Sequence, residues 1–136
     1  MTLTINHFGH FYLTYLLFDH IKKAKEGRIL NLTSNAHFFA NDNLFNDLDC
    51  QQNFSSYYQY ANSKLFNVFF TVGLNDFLRK HMISNVRTVS LHPGIINTDI
   101  TVSLCVVRWF KCCCGCCLLE REKGAACTLH LSRVDW

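Results

Sequence analysis

The sequence predicts an α/β fold, a parallel sheet with helices laid on it, from two observations. Two short β-type runs, Arg28 to Ser34 and Val86 to Leu91, stand either side of a long helical pattern from Tyr57 to Lys80. Each run closes on strand-ending residues, Thr33-Ser34 in the first and His92-Pro93-Gly94 in the second. That is a βαβ unit, in which strands buried on both faces collect ligands beyond their carboxyl ends. Ser34 and Pro93 fall at those ends.

The elements follow in order. From Leu3 to Lys25, Phe8, Phe11, Tyr15 and Phe18 recur at helical steps flanked by Tyr12 and Leu16, which predicts a helix with a wide buried stripe. Lys22, Lys23 and Lys25 suit its carboxyl end, and Gly27 suits a left-handed cap. The run Arg28 to Ser34 then reads as a buried strand. Residues 35–56 are rich in Asn, Asp, Gln and Ser and read as a loop longer than an ordinary connection, hence a functional or mobile one. Leu65, Val68, Phe69 and Val72 mark the buried face of the helix at 57–80. Val86 to Leu91 alternates and is β-branched, a second strand that proline stops. A last helix is expected from about Glu120 to Leu131.

Composition narrows the function. The 136 residues suffice for one domain and carry 49% apolar against 17% charged residues, with a net charge of +3. No run of five like charges occurs, so a nucleic-acid partner is not expected. The N-terminus lacks the basic start and apolar run of a secretory signal. Five of the eight cysteines crowd into Cys112 to Cys117, where neighbours pair only with strain. Both features predict a reducing, intracellular location. The stretch Leu104 to Leu119 is too short, with Arg108 and Lys111 inside it, to be read as a membrane span. His7-x-x-His10 has no zinc-motif glutamate beside it, so both histidines read as packing residues and no metal site is assigned.

Tyr60-Ala61-Asn62-Ser63-Lys64 sets a phenol and an ammonium one helical turn apart on one face. At about 4 Å and an effective dielectric of about 20, the lysine charge would favour the phenolate by about 4 kcal/mol, enough to make the phenol a general acid/base at neutral pH. In isolation the same spacing also describes a half-buried aromatic beside a solvated lysine. Likewise Asn6 could cap a helix, Ser34 could be an ordinary strand-end hydroxyl, and Pro93-Gly94 could be a turn. Their order along the chain is what joins them.

With Asn6-His7-Phe8-Gly9-His10-Phe11, Arg28 to Ser34, Tyr60 to Val68, His92-Pro93-Gly94 before Thr98, and a weaker Gly124-Ala125-Ala126, the sequence resembles the short-chain dehydrogenase/reductase superfamily, most closely its retinol-dehydrogenase-like branch. The resemblance implies the C-terminal part of a Rossmann-type doubly wound parallel sheet, incomplete here. It also implies a catalytic set of Asn6, Ser34, Tyr60 and Lys64. Tyr60 would exchange the proton with a carbonyl or alcohol, Lys64 would support it and hold the nicotinamide ribose, Ser34 would orient the substrate oxygen, and Asn6 would serve the proton relay at a helix kink. Tyr60, Lys64, Pro93, Gly94, Ile96 and Thr98 would contact NADP or NAD, with NADP favoured by the resemblance. The implied reaction interconverts a lipophilic, retinoid-like alcohol and its aldehyde or ketone, at the endoplasmic reticulum membrane surface or in the cytoplasm.

A dinucleotide site needs a glycine-rich first turn, and no Gly-x-Gly occurs among the glycines at 9, 27, 73, 94, 115 and 124. The chain therefore reads as a partial short-chain dehydrogenase/reductase domain over residues 1–136: a fragment, an isoform or a mis-predicted gene product, expected to be inactive alone. Within it, residues 104–119 read as a Cys-rich lid or membrane-proximal segment, with S-acylation and zinc as the other readings of Cys112 to Cys117. The rival function is a non-catalytic interaction module, a homo- or hetero-dimer formed through the helices at 3–25 and 57–80.

Overall fold

The computed structural model describes residues 1–41, 44–48, 52, 55–97 and 119–134. The chain divides into two compact units, Met1–His92 and Pro93–Trp136.

In the first unit a π-helical turn, Thr4–Phe8, leads into helix α1, Gly9–Lys23. Strand β1 follows at Gly27–Leu32, then a 3-10 turn at Asn35–Phe39, helix α2 at Ser56–Lys80 and strand β2 at Val86–Leu91. The strands pair in parallel from Gly27 opposite Val86 to Leu32 opposite Leu91. The expected α/β class and βαβ order are therefore present, with two strands in the sheet among the described residues. The first strand stops at Leu32 rather than Ser34, although Thr33 still donates its N–H to the Leu91 carbonyl at 2.9 Å.

Both helices lie on one face of the pair. Ile29, Val86 and Leu78 form the buried cluster, and Phe18, Ile21, Leu74 and Ile83 close over it. Burial on both faces, which the apolar strand run suggested, does not hold within this unit: Leu32, pointing to the other face, is 46% exposed. Gly27 does not cap α1 either. That helix ends at Lys23 with Ala24 in extended conformation, and Gly27 starts β1. Its small size is what counts, since a Cβ there would stand 2.9 Å from the Ile21 carbonyl oxygen and 3.1 Å from Val86 Cγ2.

Helix α2 partly inverts the face its sequence suggests, with Leu65 and Val68 half-buried. Its buried positions include Ser63, Asn67, Thr71 and Leu78, a largely polar stripe at helical spacing, while Phe69 and Val72 are exposed. Hydrogen bonds account for the inversion: Thr71 Oγ1 accepts from Asn31 Nδ2 at 2.8 Å, and Asn75 Nδ2 donates to the Thr88 carbonyl at 3.2 Å. Helix α1 likewise buries none of its residues fully; Phe11 and Tyr15, expected in the core, are exposed. Their rings instead border an apolar groove of about 500 Å³ between α1 and α2, where Phe11 meets Phe70 at 5.1 Å.

The end of α2 is a Schellman motif. Ile83 donates its N–H to the Leu78 carbonyl and Met82 to that of Arg79, with Met82 at φ 55°.

In the second unit, Ile96 forms a parallel bridge with Leu119, and helix α3 spans Arg121–Arg133. Gly94 has φ 87°, and Gly124 is buried against the Ile96 side chain, which leaves no room for a Cβ.

Candidate active site

Each expected catalytic residue of the first unit has a definite anchorage. Ser55 starts α2 by accepting the Tyr58 N–H at 3.3 Å, which sets Tyr60 and Lys64 in the first turns. Lys64 Nζ stands 5.5 Å from the centre of the Tyr60 ring and donates to the Leu32 carbonyl at the end of β1, at 3.3 Å. Burial pushes the Lys64 ammonium below the ordinary lysine value. The Tyr60 hydroxyl has no hydrogen-bond partner among the described residues. The lysine therefore lies over the ring face, as a cation–π contact, with the phenolic oxygen left free.

Asn6 sits in the π turn. Gly9 donates its N–H five residues back to Thr4, and such single wide turns are frequent at functional positions. The Asn6 amide donates to Ser63 Oγ at 3.2 Å, and that hydroxyl in turn donates to the Tyr60 carbonyl at 2.7 Å. Thr33 Oγ1 donates to the Lys64 carbonyl at 2.7 Å. Asn6, the Tyr60–Lys64 turn and the end of β1 are thus brought together in one hydrogen-bonded neighbourhood.

Ser34 follows β1 as the cap of the 3-10 turn. Its Oγ accepts the Ala36 N–H at 3.2 Å, and its carbonyl accepts from His37 Nδ1 at 2.6 Å. Capping uses a lone pair, so the Ser34 proton stays free to donate. No hydrogen bond joins Ser34 to the Tyr60 phenol. Pro93, Gly94 and Ile96 belong to the second unit, and Thr98 lies outside the described residues, as does the Cys112–Cys117 block.

Several contributors escaped sequence reasoning. Ser63 and Asn62 are fully buried, and Asn62 Oδ1 accepts the Asn41 N–H at 2.9 Å, fixing the loop beyond β1 to α2. Asn67 and His7 are buried and joined at 3.1 Å, whereas His10, read as a packing residue, is exposed. Their signal was a polar run, Asn62-Ser63 and then Asn67, inside a helix that also carries Tyr60 and Lys64.

Comparison with known proteins then fixes the family: residues 1–105 match the short chain dehydrogenase family. The chain belongs to that family. Within it the chain is retinol-dehydrogenase-like. It is 36% identical over 135 residues to mouse retinol dehydrogenase 11, covering 99% of this chain and 42% of that protein. Human retinol dehydrogenase 13 is 39% identical over 101 residues, 74% of this chain and 29% of that protein. A crystal structure of an uncharacterised protein from Mycobacterium paratuberculosis superposes with a TM-score of 0.70 at 29% identity, covering 98% of this chain and 42% of that one. The chain thus spans less than half the length of these relatives and of that structure. Among the described residues no helix is long and apolar enough to cross a membrane, and no three metal-ligating side chains cluster.

Proposed function

We propose that this short-chain dehydrogenase chain carries the proton-transfer half of an NAD(P)-dependent oxidoreductase acting on a lipophilic, retinoid-like alcohol or aldehyde. One observation carries the reading: an unpartnered phenol, Tyr60, with an ammonium fixed over its ring by the last carbonyl of β1.

The residues present suit a nicotinamide nucleotide's sugar. Lys64 keeps two N–H donors beyond its bond to Leu32, and the Tyr60 hydroxyl is free to accept or donate, a donor set that matches a ribose diol. When bound, the nucleotide would supply the hydride transfer. Tyr60 gives its proton to the substrate carbonyl oxygen, or takes one from the alcohol, with the Lys64 ammonium held over its ring. Ser34 donates its hydroxyl proton to the same oxygen, leaving its Ala36 bond intact. Asn6, tied to Ser63, keeps the start of the π turn against the catalytic turn of α2. By the family resemblance, Pro93, Gly94, Ile96 and Thr98 would be the residues that contact the nicotinamide, and NADP is favoured over NAD. The endoplasmic reticulum surface or the cytoplasm is the proposed setting.

The test sets Tyr60→Phe in a full-length context, this segment joined to a relative's nucleotide-binding half, and measures NADPH- and NADH-dependent turnover of retinal and retinol beside thermal melts. Loss of turnover with folding intact supports the reading. Turnover unaffected by Tyr60→Phe would sink it.

A second reading has its own observation. The groove between α1 and α2, with exposed Tyr15 and Val72 beside it, suits a second copy of this chain or a complete relative, paired without catalysis.

A further inference from the structure

We propose that Asn67 is a positioning residue, the clamp that ties the Asn6 turn to the end of β1 and so holds the carbonyl on which the Lys64 ammonium is anchored. This assignment rests on the proposed Tyr60–Lys64 site and deepens it.

Asn67 is 3% exposed and sits one turn beyond Lys64 on α2. Its Nδ2 donates to the Asn6 carbonyl and to the Leu32 carbonyl, each at 3.1 Å. Two carbonyls can only accept, so the amide has one workable orientation, nitrogen toward them and oxygen toward His7. Oδ1 then faces His7 Nδ1 at 3.1 Å, and that ring nitrogen must carry a proton. Burial holds the His7 imidazolium form down, so the ring is a neutral donor whose hydrogen fixes the amide.

The Leu32 carbonyl is shared between Asn67 Nδ2 and Lys64 Nζ. Its two lone pairs are thereby both assigned, and the ammonium is confined to one of them. Through the Asn6 carbonyl the same amide holds the residue whose side chain reaches Ser63 and, through it, the Tyr60 carbonyl. One buried side chain therefore connects every anchor of the site within the first unit except Ser34. An apolar side chain of the same size would fill the space and leave both carbonyls without these donors.

The experiment is carried out on the full 136-residue chain with ¹³C-labelled lysine and ¹⁵N-labelled asparagine. In Asn67→Asp, of equal shape but without donors, the Lys64 titration midpoint should rise toward the ordinary lysine value, because its carbonyl partner is released and a carboxylate stands nearby. A folded Asn67→Asp chain with an unmoved Lys64 midpoint overturns the clamp. If that variant does not fold, the wild-type chain decides. Both Asn67 side-chain N–H protons should exchange with solvent far more slowly than those of exposed Asn35; equal exchange rates overturn the proposal. Neither measurement involves nucleotide or substrate, so a failure of Tyr60→Phe to change turnover in a full-length context would count against the proposed activity and leave the clamp standing.

Discussion

Lys64 Nζ lies over the Tyr60 ring, 5.5 Å from its centre, and is tied to Leu32 at the end of β1 while the phenol itself is tied to nothing described. The two halves of the pair therefore differ in what their removal costs. Tyr60→Phe deletes a hydroxyl with no partner among the described residues, so the stability should change by no more than an ordinary surface substitution, about 0.5 kcal/mol. Turnover in any catalytically competent form should fall by about 10²- to 10⁴-fold, the usual contribution of a positioned acid/base. Thermal melts beside initial rates check both. Lys64→Met should be at least as stable as wild type at neutral pH, because burial disfavours the ammonium. A Lys64→Met chain that melts well below wild type would mean the Leu32 bond outweighs that burial cost.

Stability should decline as the solution is acidified from neutrality. His7 is held below its usual 6.5 chiefly by burial, against the bond to Asn67 and with help from His10; His92 is held below it by burial and by His37. For each, the unfolded chain binds the proton more readily than the folded one. Their stabilising contribution is therefore complete above about pH 6.5 and is lost as pH falls through the lower folded values. Urea melts at a series of pH values check the slope. His7→Asn, which keeps an N–H donor near the Nδ1 position and removes one titration, should flatten it.

What could be read from the sequence was the backbone order and the residues with distinctive chemistry. β2 runs from Val86 to Leu91 as expected, because alternation and Pro93 leave few other endings. The faces of the helices were less legible. Hydrophobic spacing put Phe69 and Val72 inside, yet Ser63, Asn67 and Thr71 are the buried ones, since the side chain of Asn6, the carbonyls of Leu32 and Asn6 and the side chain of Asn31 respectively offer them partners. Periodicity records where apolar groups recur, and a second apolar surface mimics a core. The wide turn at Asn6 was anticipated through family resemblance, whereas its hold by Asn67 needed a contact across 61 residues.

Two substitutions at backbone-sensitive positions should act in opposite directions. Gly27→Ala sets a methyl 2.9 Å from the Ile21 carbonyl oxygen and 2.8 Å from Ile21 Cγ2, so α1 or β1 must shift. A loss of about 1–3 kcal/mol is expected, the usual cost of overpacking. Met82→Gly relieves a left-handed side chain at the end of α2, φ 55°, and should gain about 1 kcal/mol. Chemical denaturation of both variants, with unchanged m-values, checks that the folded state alone is responsible.

The groove between α1 and α2 sets the last expectation. An apolar stripe on α2 that misses its own core needs either water or another protein, and Tyr15 at 70% and Val72 at 56% exposure leave it uncovered within this unit. Pairing with a second copy would bury these side chains, so sedimentation should show a concentration-dependent dimer. Val72→Glu should abolish the dimer without lowering monomer stability by more than about 0.5 kcal/mol, because Val72 leaves the core untouched. Gly73 separates the two possibilities further. Nothing lies within 4 Å of a Cβ placed there, so Gly73→Ala should stabilise an unpaired α2 by about 1 kcal/mol through helix propensity. If a partner ring rests against Gly73, the same methyl should weaken the dimer while strengthening the monomer. A chain that sediments as a monomer at every concentration, with Val72→Glu indistinguishable from wild type, would leave catalysis rather than self-pairing as the role for which this surface must be explained.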